Sequence, residues 1–112
     1  MDRIEHLLTC LAEECGEVAK ECCKALRFGI YDQLTIDPNG PRGTEGPTNR
    51  AKIAAEMVDL IAIYQMCVDM EILPDLGLSM SMETIREKAS LKKSKVEAYM
   101  HYARRVGALK GH

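Results

Sequence analysis

The chain has 112 residues, of which 46% are hydrophobic, 29% charged and 4% aromatic, and its formal net charge is -2. This length bounds one domain, residues 1–112, with a core too shallow to be deep without a second copy, and the composition excludes the disordered class. The near-neutral balance leaves no global field for nucleic acid or a membrane surface, so neither is an expected partner.

Apolar residues recur at Ile4, Leu8, Leu11, Cys15, Val18, Cys22 and Ala25, in alternating steps of four and three, which is the seam of an amphipathic helix. A first helix is therefore predicted over residues 2–28, stopped by Gly29. At about 100° per residue, Glu14 lies near the edge of the seam, Glu21 slightly further round, Glu17 beyond both and Glu13 furthest out. For Glu13 and Glu21 taken alone, the preferred reading is a solvated acidic face. Gly16 sits inside the helix at a cost of about 1 kcal/mol and reads as a point of close helix approach.

Between Gly29 and Pro47 the breakers Pro38, Gly40, Pro41, Gly43 and Gly46 forbid a continuous helix or strand, so the stretch 29–48 is predicted to be a loop. Loops of this length in small domains are commonly functional. Arg42 and Arg50 flank its end, Thr48 or Asn49 is a good cap for the next helix, and a helix N-terminus can receive an anion. A binding role follows as the expectation.

The second helix, predicted over residues 49–72, is apolar nearly all round: Ile53, Met57, Leu60, Ile61, Tyr64 and Val68 on one side, Ala55, Ala62, Ile63 and Met66 on the other. Burial on several faces is expected. Within it stand Glu56 and Asp59, which must be protonated, salt-bridged or metal-bound, because unpaired buried carboxylates are too costly.

Pro74 to Ser81 reads as a turn leading to a cap at Ser81, and a third helix is predicted over residues 82–106 with a stripe at Ile85, Ala89, Val96, Met100 and Ala103. From Ser81 onward there are eight basic residues against three acidic ones. Lys88, Lys92, Lys95, Tyr99 and Tyr102 fall along one edge of the stripe, a face that suits a polyanion. Neither an internal repeat nor a low-complexity tract is present.

The five cysteines, Cys10, Cys15, Cys22, Cys23 and Cys67, are odd in number and form no C-x-x-C pair, which reads as reduced, mostly core-filling thiols. No apolar run is long enough to span a bilayer, and Met1-Asp2-Arg3-Ile4-Glu5-His6 lacks the apolar core of a signal peptide, so the expected location is the cytoplasm.

Carboxylates spaced i and i+3 share one helix face, so two such pairs on packed antiparallel helices bring four carboxylates around one or two ions. Ligation by oxygen alone favours hard cations, and Mg²⁺ in particular takes few protein carboxylates and fills its other positions with water and substrate phosphate. A redox di-iron bundle would need Glu-x-x-His motifs, and His6, His101 and His112 stand in none.

The ordered set Glu13-Glu14-Cys15-Gly16-Glu17 and Glu56-Met57-Val58-Asp59 resembles the E-E-x-x-E … E-x-x-D motif of the MazG-like all-α nucleoside triphosphate pyrophosphohydrolases, especially their short single-domain members. Arg27-Phe28-Gly29 closing the first helix, Thr48-Asn49 opening the second and the Lys-rich third helix extend the likeness over most of the chain. The resemblance implies an all-α fold of three main helices in an antiparallel bundle completed by homo-oligomerisation, as a dimer or tetramer. It implies Mg²⁺, with Mn²⁺ as substitute, held by Glu14, Glu17, Glu56 and Asp59, and hydrolysis of a nucleoside triphosphate to the monophosphate and pyrophosphate. Glu17 or Glu13 would accept the proton of the attacking water. Lys88, Lys92 and Lys95 would neutralise the departing pyrophosphate, with Asn49 and Tyr99 completing the substrate-binding set. Two alternatives stay open: phosphoribosyl-ATP as the substrate, and a non-catalytic helical interaction module.

Overall fold

The computed structural model of the chain describes residues 1–33, 39, 46–77 and 82–110; Arg42 and Ser81 lie outside them. Every described element is helical: α1 Arg3–Phe28, α2 Asn49–Asp69, α3 Met82–Lys88 and α4 Ser90–Arg105. They fall into two compact units, Met1–Asp75 with α1 and α2, and Leu76–His112 with α3 and α4.

In the first unit α1 begins at a capping box. Glu5 N–H donates to Asp2 Oδ1 at 2.8 Å and Asp2 N–H donates to Glu5 Oε2 at 3.3 Å, which satisfies two of the donors a helix start leaves free. It stops at Gly29, whose φ of 102° is open to glycine and strained for other residues. α2 is capped by Thr48, whose Oγ1 accepts from Ala51 N–H at 3.3 Å. The two helices run in opposite directions, since Gly29 meets Asn49 while Glu14 meets Glu56 and Asp59.

The face α1 turns to α2 is only partly its apolar seam. Leu7, Glu21 and Ala25 are its buried residues, with Leu11, Glu14 and Val18 half-buried between them, whereas Ile4, Leu8 and Cys15 are exposed. The helix is rotated by about 50° from the orientation the apolar periodicity predicts. The rotation puts Glu14 and Glu21 where Cys15 and Cys22 were expected. On α2 the matching stripe is Asn49, Glu56, Leu60, Ile63 and Cys67, of which Asn49 and Cys67 are buried. The expected burial of α2 on several faces is not found within this unit. A single packed helix covers a single stripe, so Met57, Val58, Ile61 and Met66 stay exposed.

α2 ends three residues earlier than predicted, at Asp69, and without a glycine. Glu71 takes a left-handed φ of 59°, Ile72 N–H reaches back to Cys67 O at 2.9 Å and Glu71 N–H to Val68 O at 2.9 Å, the hydrogen bonds of a Schellman stop. Gly107 does the same for α4 with a φ of 81°, where Ala108 N–H donates to Ala103 O at 2.8 Å.

The single third helix of the sequence reading is instead two, divided at Ala89, whose φ of -94° and ψ of 3° lie outside the helical basin. Alanine is the best helix former, so local propensity does not account for the division. The hydrogen-bond ladder continues across it, from Ala89 N–H to Ile85 O at 2.9 Å and from Lys93 N–H to Ala89 O at 3.0 Å. No residue of α4 is buried, because the seven-residue α3 is too short to cover its stripe.

Two local expectations are corrected. All five cysteines are free, but Cys15 and Cys23 are exposed rather than core-filling, Cys15 as a consequence of the rotated α1. A methyl group at Gly16 would meet nothing within 4 Å, so close helix approach is not the reason for a glycine there. Gly16→Ala is accordingly expected to stabilise the protein by about 1 kcal/mol, read by chemical denaturation. A loss of stability would mean that another surface does pack on Gly16.

Candidate metal centre

The rotation of α1 and the register of the hairpin bring Glu14 of α1 together with Glu56 and Asp59 of α2. One carboxylate oxygen from each lies within 4.8 Å of the other two. Glu14 and Glu56 are half-buried and Asp59 is exposed, so the group opens to solvent on the Asp59 side. Glu14 Oε2 is sealed from solvent and has no hydrogen-bond partner among the described residues. None of the three makes an ion pair among the described residues.

Burial, and then the charges of Asp59, Glu17, Glu14 and Glu21, push the Glu56 carboxyl above its ordinary value of 4.5. Three converging carboxylate oxygens are a donor set of the kind that hard divalent cations take. No described helix is long and apolar enough to cross a membrane.

The other predicted residues divide. Glu17 is beside the group on α1 but outside the triplet, its side chain 46% exposed and its Oε2 only 3.9 Å from Lys20 Nζ, a surface pair worth little. Glu13 is exposed. Asn49 is 1% exposed, and its Nδ2 donates to Gly29 O at 2.9 Å, so it ties the end of α1 to the start of α2. Lys88, Lys92 and Lys95 belong to the second unit, are exposed and make no ion pair among the described residues, while their neighbour Lys93 pairs with Glu97 at 3.6 Å. Tyr99 is 74% exposed in the same unit, where Lys88 also lines an open cavity of about 340 Å³ with Leu76, Ile85 and Ala89.

The start of α2 is not the anion site the sequence led us to expect. Asn49 N–H is taken by Asp32 O at 2.9 Å, Arg50 N–H by Ile30 O at 2.8 Å, Ala51 N–H by Thr48 Oγ1 at 3.3 Å and Lys52 N–H by Thr48 O at 3.0 Å. All four donors of the first turn are committed. The Arg50 guanidinium lies over the Tyr31 ring at 5.4 Å and donates to its hydroxyl at 3.3 Å.

Sequence reasoning missed Glu21, assigned to a solvated face and found 6% exposed. The available signal was its position seven residues after Glu14, two helical turns along the same stripe.

The sign of the Glu56 shift sets a pH dependence. A carboxyl raised in the folded state favours its protonated form, so its ionisation destabilises the metal-free fold progressively as pH rises from 4.5 through the raised value. A bound divalent cation reverses this. The thermal stabilisation conferred by Mg²⁺ over chelator is therefore expected to be larger at about pH 8 than at about pH 5, with proton release on binding measured by calorimetry in buffers of different ionisation enthalpy. Equal stabilisation at both would remove Glu56 from the site. No family model matches the chain, and neither a curated protein nor a solved structure matches it.

Proposed function

We infer that the protein is a Mg²⁺-dependent nucleoside triphosphate pyrophosphohydrolase. The observation that carries this reading is the convergence of Glu14, Glu56 and Asp59 within 4.8 Å at a half-open site. It joins the two halves of the acidic motif that are remote in sequence.

Glu14, Glu56 and Asp59 would hold the ion, with Mn²⁺ as a substitute, and Glu17 stands beside them. When bound, Mg²⁺ supplies charge stabilisation at phosphoryl oxygens and a more acidic water. Glu17, half-exposed and held only by its weak pair with Lys20, is the carboxylate free to accept the proton of the attacking water; Glu13 is further out in solvent. Water adds to the α-phosphorus, the α–β anhydride bond breaks and pyrophosphate leaves with the bonding electrons. In the second unit the exposed Lys88, Lys92 and Lys95 make no ion pair among the described residues and suit a polyanion, and the exposed Tyr99 ring offers a stacking surface for a base. Asn49, the other residue of the substrate-binding set, has Nδ2 donating to Gly29 O and Oδ1 without a partner among the described residues.

A homo-oligomer, dimer or tetramer, belongs to the same reading. Ile4 and Leu8 on α1 and Met57, Val58, Ile61 and Met66 on α2 stay exposed, an apolar load that isolated soluble chains rarely carry on adjoining helices.

The reaction is tested by pyrophosphate release from a panel of canonical and modified nucleoside triphosphates, with Mg²⁺ and with chelator. Glu56→Gln is expected to lower release by more than about 100-fold while keeping the fold, since even residues that only orient a metal ligand cost roughly 10- to 100-fold. Metal-independent release, or full activity in the variant, would sink the assignment. Sedimentation equilibrium is expected to return a dimer or tetramer, and Ile61→Glu is expected to shift it to monomer; a monomeric wild type would rule out assembly.

A further inference from the structure

Cys10 is half-buried on α1, and its Sγ lies 3.7 Å from Nε2 of the exposed His6, one turn earlier on the same face. The spacing is i and i+4, with which a single helix presents two ligands to a zinc ion. The separation fits as well. With bonds of about 2.3 Å to sulfur and about 2.0–2.1 Å to nitrogen, two ligand atoms on a tetrahedral centre stand about 3.6 Å apart. The pair already spans one edge of such a tetrahedron.

The other thiols of α1 have no such surroundings. Cys15, Cys22 and Cys23 have no His, Cys, Asp or Glu three or four positions away, whereas Cys10 has His6 before it and Glu13 and Glu14 after it. From Asp2 to Glu17 the chain carries five carboxylates against one basic residue, Arg3, a local charge that draws cations. Donor type decides which cation. Thiolate and imidazole select zinc-like ions, while the all-oxygen group of Glu14, Glu56 and Asp59 suits hard ones, so one helix sorts two kinds of ion.

We propose that His6 and Cys10 hold one ion of the Zn²⁺ class near the start of α1, with water in its remaining positions. Neutral imidazole gives the Nε2 lone pair, the Cys10 thiol gives its proton to solvent, and the thiolate takes the second position, so one proton leaves per ion bound. The ion clips two successive turns of α1 just beyond the Asp2–Glu5 capping box and shields the Cys10 sulfur from electrophiles. This binding does not rest on the pyrophosphohydrolase reading.

The probe is Co²⁺, which takes the ligands of zinc and gives a thiolate-to-cobalt absorption band in the near ultraviolet, titrated into the reduced full chain in excess Mg²⁺. Wild type is expected to show the band of a single thiolate, saturating at one ion per chain and bleached by Zn²⁺. Cys10→Ser is expected to lose the band, and His6→Ala to weaken binding by at least roughly tenfold, since losing even a residue that supports a ligand costs that much. Cys15→Ser and Glu56→Gln are expected to leave both unchanged. A second readout needs no variant: Zn²⁺ is expected to protect Cys10, and not Cys15, from alkylation by iodoacetamide, mapped by mass spectrometry. No band in wild type, a band that survives Cys10→Ser or disappears with Cys15→Ser, unchanged affinity in His6→Ala, or equal alkylation of Cys10 with and without Zn²⁺ each reduces the pair to an S–H···N contact and overturns the proposal. Loss of the band in Glu56→Gln would place the ion in the carboxylate group instead. Pyrophosphate release is measured separately with Mg²⁺ alone, so either proposal can fail while the other stands.

Discussion

Glu14 and Glu21 lie in the contact between α1 and α2, and each keeps one oxygen sealed from solvent without a donor, while Glu56 faces them from the other helix. This arc of α1 also carries Leu7, Leu11, Val18 and Ala25 inward, but it leaves Ile4, Leu8 and Cys15 outside, whose burial would stabilise by about 25 cal/mol per Å². Turning the acidic stripe inward instead forgoes that gain and adds desolvation and like-charge repulsion. A cation placed between the carboxylates would turn the same repulsion into affinity.

The position of that space is set by the other end of the hairpin. Asn49 is buried and donates to Gly29 O, Asn49 and Arg50 N–H donate to Asp32 and Ile30 carbonyls, and Gln33 Nε2 donates to Gly46 O at 2.6 Å. These bonds clamp the two ends of the connecting segment to the start of α2 and so fix the register in which Glu14 meets Glu56 and Asp59. They also use up the backbone donors with which a helix start holds an anion.

The same rotation explains where the hydrophobic surface goes. Leu7, Ala25 and Cys67 are the buried apolar residues among those described, a small core for this length. Ile4 and Leu8 are turned outward on α1, and Met57, Val58, Ile61 and Met66 remain uncovered on α2. Local devices hold the helices meanwhile: the Asp2–Glu5 capping box, the Thr48 cap and the Schellman stops at Glu71 and Gly107. A Glu in the left-handed region at Glu71 costs roughly 1–2 kcal/mol, a local strain the capping hydrogen bonds offset only in part.

Local chemistry was legible from the residues themselves. Apolar periods of three and four, breakers and caps determine the all-helical class, the bounds of α1 and the start of α2, because each depends on neighbours within a turn. The acids were legible as a set for the same reason: Glu56 and Asp59 stand in an apolar segment where any carboxylate needs a partner. Three things only the tertiary structure decided. Which arc of α1 faces α2 is a competition between an apolar seam and an acidic stripe some 50° apart, and a period alone does not rank them. That placed Glu21 inside and Cys15 outside. The division at Ala89 and the left-handed stop at Glu71 lie at residues whose own propensity argues against them, so a propensity reading does not place them. The meeting of Glu14 with Glu56 and Asp59, 42 and 45 residues apart in the chain, depends on the hairpin register, which the clamp at Asn49 sets and which no single helix encodes.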